Sequence, residues 1–311
     1  MVMGAGLGTR LRPFTNQLAK PLIPVMGIPC IDYALYLLHD SPVREVVVNV
    51  HAHPGQMNQH LARLSGLFSR QSTDPFKITV SDESNELLGS AGGFRKALPQ
   101  FKGQAFFGIN ADVICGLELS QLAKQHAELK KKQGVVMTLA LARGKILSTQ
   151  TEPYREILTD PNSGLIIGLG EKKLHTPFYT GLGVFESEAF AHLQENVPSE
   201  FVPSVLEYWI KKNKVGFFDY SGLWLDIGTP ELWWKAHDQL KKSMMLEHAS
   251  PDSDSLPGAW RDVMQKALQA GKVQISQPWE GWIRYGKDAT PQNFLGKKGI
   301  QLDNLCYELP L

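Results

Sequence analysis

The sequence predicts a three-layer α/β sandwich whose central sheet is mixed and mostly parallel. Helical and extended segments alternate along the first half of the chain, and the extended ones are continuous apolar runs such as Arg44–Val50 and Ala105–Asn110. Runs of this kind are typical of strands buried on both faces of a parallel sheet. After Gly144 the alternation weakens, and Gly164–Gly170 and Phe178–Phe185 follow as strands with few helices between them. We therefore expect the second half of the sheet to be mixed.

The other elements follow from the spacing of their apolar residues. Helical spacing predicts helices over 31–38, 54–64 and 118–132 and a further helix that begins near Pro230. Shorter apolar runs predict strands at Phe76–Ser81 and Val135–Ala142. Together these segments supply the helices that cover both faces of the sheet.

Composition limits the classes of function. The chain has 311 residues, of which 43% are hydrophobic and 20% charged, with a net charge of +1. So small a charge gives no bulk attraction to nucleic acid or to an anionic membrane. Cys30, Cys115 and Cys306 are odd in number and far apart, which argues against a disulfide framework or a zinc site. No apolar run is long enough to span a membrane, and the first residues lack the basic and then apolar pattern of a signal peptide. We therefore expect a cytoplasmic protein that binds neither nucleic acid nor membrane.

A glycine-rich segment near the start predicts a polyphosphate site. Three glycines within five residues are followed by a threonine and three basic residues (Gly4, Ala5, Gly6, Gly8, Thr9, Arg10, Arg12 and Lys20). Glycines let backbone N–H groups approach anionic oxygens, and the cations neutralise charge that a few amides cannot. The segment lacks the Lys-Ser/Thr pair of a P-loop, and its third glycine comes one residue too early for a dinucleotide fingerprint.

A second small-residue segment, Leu88–Gly92, lies where a loop leads into a helix. Small residues there allow a flat ring to lie against the backbone, and helix N–H groups can meet a base edge or a phosphate. Alternatively, Ser90 simply caps the helix. Both interpretations can hold together.

Two aspartates are the candidate metal ligands. Asp112 follows the apolar strand Ala105–Asn110, at the strand end where open α/β sheets place ligands, although an aspartate there can also form a turn. Asp226 lies in Leu223–Pro230, directly before a glycine turn and a Thr-Pro helix start. Helix capping explains the Thr-Pro pair but not an acid in so apolar a segment.

The residues Met3–Pro13, together with Lys20–Leu22 and Pro24–Val25, resemble the signature of the sugar-1-phosphate nucleotidyltransferases, also called nucleoside-diphosphate-sugar pyrophosphorylases. The resemblance is strongest to the mannose-1-phosphate guanylyltransferase and N-acetylmuramate-1-phosphate uridylyltransferase branches. It implies a Rossmann-like, glycosyltransferase-A-like fold. It also implies a Mg²⁺-dependent reaction in which a nucleoside triphosphate and a sugar 1-phosphate give a nucleoside-diphosphate sugar and pyrophosphate.

The resemblance also implies roles for individual residues. Arg10, Lys20 and Asp112 would be catalytic, and Asp112 and Asp226 would hold Mg²⁺. The predicted nucleotide-binding residues are Gly4, Ala5, Gly6, Gly8, Thr9, Arg10, Gly89, Ser90 and Gly92. The predicted sugar-phosphate-binding residues are Asn110, Glu171, Lys172, Thr180 and Gly181. Three departures from the pattern are Ser90 for threonine, Ala111 for the glycine of an N-G-D motif, and a first strand reduced to Met1–Met3.

We expect a nucleotidyltransferase catalytic domain over residues 1–249 and a C-terminal helix and β-rich extension over residues 250–311. The expected substrates are GTP with mannose 1-phosphate or UTP with a hexosamine-type 1-phosphate, and the expected state is a monomer or homodimer. Two alternatives stay open. One is a non-catalytic paralogue that binds nucleotide sugars and regulates, and the other is a nucleotidyltransferase for a non-sugar phosphate such as phosphocholine.

Overall fold

A computed structural model describes residues 1–26, 28–71 and 76–246. The strands of these ranges are β1 (Val2–Met3), β2 (Pro24–Val25), β3 (Ile28–Pro29), β4 (Glu45–Val50), β5 (Lys77–Asp82), β6 (Phe106–Asn110), β7 (Val113–Cys115), β8 (Met137–Ala142), β9 (Tyr154–Asp160), β10 (Leu165–Lys173), β11 (Tyr179–Phe185), β12 (Val215–Tyr220) and β13 (Trp224–Asp226). The predicted extension over 250–311 lies outside the described residues.

The helices are α1 (Cys30–His39), α2 (Pro54–Gln71), α3 (Gly89–Ala97), α4 (Leu119–Gln133), α5 (Lys145–Thr149), α6 (Glu188–Ala191), α7 (Glu207–Ile210) and α8 (Pro230–Leu246). Short 3₁₀ turns occur at Thr9–Leu11, Phe14–Asn16, Lys20–Leu22 and Leu98–Phe101, and a π-helical turn at Val202–Leu206 precedes α7. No described helix has the length and apolar character needed to span a bilayer.

Nine strands form the main sheet in the order β5-β4-β1-β6-β11-β8-β12-β10-β9. The first four are parallel to one another, whereas β11 runs antiparallel to both β6 and β8. On the other side β8 and β12 are parallel, and β10 is antiparallel to β12 and β9. The predicted α/β sandwich and the change to mixed pairing in the second half of the sheet are confirmed. Strand β1 lies between β4 and β6 and is parallel to both.

Helices cover both faces of this sheet. On one face α1, α2 and α8 contribute to a core that includes Leu35, Leu61 and Leu240, each at most 2% exposed. On the other face α3, α6 and α7, with the π-helical turn before α7, bury Phe94, Phe190 and other apolar side chains against β8 and β11. Burial of this apolar surface stabilises the fold and keeps the sheet rigid. The loops at the carboxyl ends of β1 and β6 are therefore held by a rigid scaffold.

Candidate active site

The glycine-rich loop follows β1, the third of the nine strands across the sheet. Gly8 has a φ angle of +63° and starts the turn Thr9–Leu11, and its carbonyl accepts a hydrogen bond of 2.8 Å from the Thr15 hydroxyl. A Cβ atom on Gly8 would lie 2.7 Å from Cγ2 of Thr15 and 3.0 Å from Cβ of Lys20. Both the backbone conformation and the close packing therefore require glycine at this position. The loop is seated directly against the stem of Lys20.

Asp112 and Asp226 meet across a short two-stranded ribbon. Strand β13 pairs antiparallel with β7, which places Asp226 opposite Val113. The N–H of Ile227 donates to the carbonyl of Asp112 at 3.2 Å. Burial raises the pKa of Asp226, and the negative charge of Asp112 raises it further. The structure thus brings the two acids that the sequence singled out to one place.

A cation accompanies each acid. The ammonium group of Lys20 forms an ion pair with Oδ2 of Asp112. A Cβ atom on Gly228 would lie 2.9 Å from Nη2 of Arg10 and 3.0 Å from Oδ1 of Asp226, so the guanidinium group of Arg10 lies beside Asp226. The absence of a side chain at Gly228 leaves the room that this approach needs. Two positive and two negative groups therefore lie together next to the glycine-rich loop.

Tyr154 belongs to this centre although sequence reasoning did not include it. Its hydroxyl donates to Oδ2 of Asp226 at 2.7 Å, while the N–H of Gly228 donates to Oδ1 at 2.7 Å. The ring stacks on Phe178 with centroids 4.4 Å apart and meets Trp224 edge-on at 5.5 Å. Burial, followed by the charge of Asp226, raises the pKa of Tyr154, so the hydroxyl stays a donor. The tryptophan two residues before Asp226 was the one sequence signal for this aromatic support.

The second small-residue loop is covered by the segment 199–201. The N–H groups of Ala91 and Gly92 donate to the carbonyl of Ser199 at 2.8 and 3.1 Å, so these helix N–H groups are already bonded within the protein. Gly89 has a φ angle of +71°, and a Cβ atom there would lie 2.8 Å from Oε1 of Glu200. Glu200 was missed because nothing in its own segment indicates a site.

The interpretation of Ser90 as a helix cap is wrong. Leu88 occupies the capping position, with no side-chain hydrogen bond to the helix. The Ser90 hydroxyl instead donates to Oε2 of Glu200 at 2.8 Å and accepts from the N–H of Phe201 at 2.8 Å. Ser90 joins the loop to a segment more than a hundred residues away, which a local capping rule does not describe.

Both loops line one cleft of ≈ 280 Å³. Its lining combines the glycine-rich loop (Gly4, Ala5, Gly6), the second loop (Gly89, Ser90) and the polar side chains Lys20, Asn110, Asp112 and Glu200. The cleft therefore collects residues predicted to bind the base, the phosphates and the metal. Such a mixture of backbone and charged groups in a concave surface fits a charged small molecule.

The predicted sugar-side residues behave differently from one another. Gly181 lies at an irregularity of β11 with a φ angle of +87°, and a Cβ atom there would come within 2.8 Å of Nδ2 of Asn110. By contrast, Thr180 is 1% exposed and its hydroxyl donates to the carbonyl of Ala140 at 2.9 Å. The side chain of Thr180 therefore binds β11 to β8 inside the sheet and is not presented to a ligand.

Glu171 and Lys172 lie near the exposed end of β10. The register places Lys172 opposite Arg155 and Lys173 opposite Tyr154, so the pair is close in the sheet to the residue that binds Asp226. No bond joins either side chain to the Asp112–Asp226 centre within the described ranges. Their predicted contact with a sugar phosphate stays a prediction.

The raised pKa of Asp226 leads to a measurable prediction about stability. The folded chain holds this proton more tightly than the unfolded chain, so the free energy of unfolding falls as the pH rises through the interval between the ordinary and the raised value. In Asp226→Asn no carboxylate titrates at this position, so this fall in the free energy of unfolding does not occur. In buffer with EDTA, we expect the melting temperature of the variant relative to wild type to increase as the pH rises above about 4, the ordinary pKa of an aspartate. Thermal melts should show no such increase for the exposed control Asp219→Asn.

The chain is similar to known proteins over most of its length. Residues 1–243 match the nucleotidyl transferase family. At 29% identity the chain resembles a UTP–glucose-1-phosphate uridylyltransferase of Synechocystis sp., with 89% of this chain and 72% of that protein covered. It is 27% identical to the N-acetylmuramate alpha-1-phosphate uridylyltransferase of Neisseria meningitidis, with 74% and 92% covered.

Two further similarities concern a longer relative and a solved structure. The chain is 27% identical to mannose-1-phosphate guanylyltransferase catalytic subunit beta of Drosophila melanogaster, of which it spans 59% while 74% of this chain is covered. The crystal structure of HddC from Yersinia pseudotuberculosis superposes with a TM-score of 0.62 at 18% identity, over 77% of this chain and 97% of that one. The last similarity is one of fold.

Proposed function

Because the chain belongs to the nucleotidyl transferase family, we propose that it joins a nucleoside triphosphate to a sugar 1-phosphate and releases pyrophosphate. The family predicted from the glycine-rich segment is confirmed. The observation that carries the activity is the meeting of Asp112 and Lys20 with Asp226 and Arg10 beside a cleft lined by that segment. The chemistry of such a centre suits the joining of two phosphates.

The reaction brings two polyanions together, and this sets the electrostatic task. Two unit charges ~4 Å apart repel by about 1 kcal/mol in water and several times more where water is excluded. Arg10 and Lys20 supply positive charge at the glycine-rich loop, where the backbone N–H groups approach the phosphate oxygens. We assign the triphosphate, and the pyrophosphate that leaves, to this loop and these two cations.

Asp112 and Asp226 fit a magnesium ion by their chemistry. They offer hard oxygen atoms from the end of β13 and from the residue directly before β7. Burial, followed by repulsion from Asp112, raises the pKa of Asp226, and a divalent cation relieves both effects. Magnesium commonly takes one or two carboxylates and completes its shell with water and substrate phosphates. Within the described residues, no group of three or more His, Cys, Asp or Glu side chains could hold a metal ion. When bound, Mg²⁺ would neutralise phosphate charge during the transfer.

Other residues of the centre orient the groups that act. Tyr154 and the N–H of Gly228 hold one oxygen each of Asp226, which fixes the plane of that carboxylate. Gly181 leaves room for the side chain of Asn110, which lines the cleft, and we assign this edge of the cleft to the sugar. No general base is required, since a sugar phosphate is already ionised at neutral pH.

A substrate panel tests the proposal. Pyrophosphate release is measured with GTP, UTP, dTTP, CTP and ATP, each against mannose 1-phosphate, glucose 1-phosphate, a hexosamine 1-phosphate and phosphocholine. We expect turnover with GTP and mannose 1-phosphate or with UTP and a hexosamine-type 1-phosphate, in the presence of Mg²⁺. Turnover with phosphocholine alone would place the chain among nucleotidyltransferases for non-sugar phosphates. Binding of a nucleotide sugar without any turnover would favour the regulatory alternative.

Lys172→Ala tests the sugar-phosphate side. We expect the KM for the sugar 1-phosphate to rise about tenfold or more while the KM for the nucleotide is unchanged, because one charge-assisted hydrogen bond is lost. Lys173→Ala is the matched control, since Lys173 bonds Glu156 at 3.3 Å. Steady-state kinetics in both substrates provide the measurement. Equal KM values for wild type and Lys172→Ala would remove Lys172 from the site.

A further inference from the structure

A buried chain of polar groups connects the two loops that line the cleft. It consists of Asn49, the fifth residue of β4, and Glu83, which directly follows β5; each is 1% exposed. The N–H of Gly4 donates to Oδ1 of Asn49 at 2.7 Å, and Nδ2 of Asn49 donates to Oε1 of Glu83 at 2.7 Å. The glycine-rich loop is thus attached to the side chain of Glu83.

The other oxygen of Glu83 continues the chain. Oε2 of Glu83 accepts a hydrogen bond of 3.1 Å from the N–H of Leu88, the residue that immediately precedes α3. The backbone of Glu83 is fixed as well, because its N–H donates to Val50 and its carbonyl contacts Nδ1 of His51 at 2.7 Å. Each end of the chain is therefore a backbone N–H group of a cleft loop.

The packing around this chain leaves little room for movement. A Cβ atom on Gly93 would lie 2.8 Å from Nδ2 of Asn49 and 2.8 Å from Oε1 of Glu83. A Cβ atom on Gly4 would lie 2.9 Å from the carbonyl oxygen of Asn49. Gly4 of the glycine-rich loop and Gly93 of α3 thus leave the room that Asn49 and Glu83 occupy. Direct contact therefore determines the separation of the two loops.

The burial of the Glu83 carboxylate costs free energy, and no neighbouring positive charge in the described residues compensates for it. A carboxylate removed from water is unfavourable unless it is well bonded. No basic side chain forms an ion pair with Glu83 in the part of the chain that the structure describes, and its two oxygens are bonded to N–H donors. An apolar pair of similar size would fill the same space. Unlike an apolar pair, Glu83 accepts hydrogen bonds that fix the positions of Asn49 and Leu88.

We infer that Asn49 and Glu83 are positioning residues for a nucleoside triphosphate. They hold the glycine-rich loop (the phosphate loop) and the loop Leu88–Gly92 (the base loop) at a fixed separation. The inference rests on the proposed function, because it assigns one end of the nucleotide to each loop. Glu83 does not line the cleft, and Asn49 lines it with only 1% of its surface exposed. A ligand that contacts both loops gains from the preorganised separation, whereas a ligand that contacts one loop does not.

Two single variants and their combination test the inference. Glu83→Gln replaces one acceptor by a donor, so the new amide group faces a donor of Asn49 or of Leu88. Asn49→Asp replaces the donor to Glu83 by an acceptor, so two acceptors face each other. In the double variant all three hydrogen bonds can form again. The carboxylate at position 49 accepts one bond from the N–H of Gly4 and one from the amide group at position 83. The amide oxygen at position 83 accepts the third bond from the N–H of Leu88. The total charge is that of the wild type.

Calorimetric titrations with GTP, UTP and inorganic tripolyphosphate, each with Mg²⁺, provide the measurement. For the nucleotide that the wild type binds more tightly, we expect each single variant to lose about tenfold or more in affinity and the double variant to come within about threefold of wild type. We expect tripolyphosphate affinity to change much less, because it contacts the phosphate loop alone. The KM for the sugar 1-phosphate should stay the same.

The outcomes separate the inference from the proposed function. Single variants with wild-type nucleotide affinity, or a double variant as weak as the singles, would overturn the inference. An equal loss for tripolyphosphate and nucleotide would also overturn it, since that pattern indicates general damage to the fold. The proposed function fails independently, if the wild type releases no pyrophosphate with any pair of the substrate panel.

Discussion

Asp112→Asn is expected to reduce kcat for pyrophosphate release by about 10³-fold, the size of effect found when one electrostatic contact to a developing charge is removed. Asp112 lies in the cleft, forms an ion pair with Lys20 and adjoins Asp226 across the β7–β13 ribbon. An amide at this position neither carries the charge that a magnesium ion requires nor pairs with the ammonium group. Both losses act on the transfer step.

The control for this variant is Asp219→Asn. Asp219 also pairs with a basic side chain, Arg143, at 2.6 Å, but its side chain is exposed and lies outside the cleft. Circular dichroism and thermal melts should show that both variants are folded. Wild-type turnover of folded Asp112→Asn with an unchanged Mg²⁺ requirement would show that Asp112 is not a metal ligand, whereas a rise in the Mg²⁺ concentration needed for half-maximal rate would support that role.

Lys20→Met is expected to lower kcat by about 10²- to 10³-fold and to weaken pyrophosphate in the reverse reaction by a similar order. Methionine keeps the apolar stem that packs against Gly8 and removes only the ammonium group. The charge that Lys20 presents to the leaving pyrophosphate is lost in both directions of the reaction. The forward rate and the KM for pyrophosphate therefore change together.

Lys130→Met is the matched control for Lys20→Met. Lys130 pairs with Glu186 at 2.7 Å on the last turn of α4, and it does not line the cleft. Reverse-direction assays with a nucleoside-diphosphate sugar and pyrophosphate measure the effect. A Lys20→Met enzyme whose pyrophosphate KM equals that of wild type would exclude the proposed role in holding the leaving group.

Sequence reasoning identified those parts of the centre whose signal is local. The glycines of the first loop, the strands that lead to Asp112 and the turn after Asp226 are each recognisable within a dozen neighbouring residues. Because a buried strand ends at a sheet edge, the position of an acid directly after it was also predictable. The structure brings Asp112 and Asp226 together, while their roles stay predictions that the variants above test.

Residues that act through long-range contacts were missed or misinterpreted. Tyr154 reaches Asp226 from another strand, and Glu200 reaches Ser90 from a distant segment. Thr180 was expected at the ligand, but its hydroxyl bonds inside the sheet. The periodicity of a strand predicts alternating faces and does not predict which polar side chain finds a partner, because that depends on the neighbouring strand.

The sequence by itself determined the class of fold and identified the glycine-rich loop and the two acids, because backbone conformation, strand burial and turn chemistry depend on residues close along the chain. Tertiary structure alone decided which groups complete the centre and how the two loops are joined through Asn49 and Glu83. Hydrogen bonds and ion pairs act over about 3 Å in space, whatever the distance along the chain. Only the packed sheet brings such partners within that range.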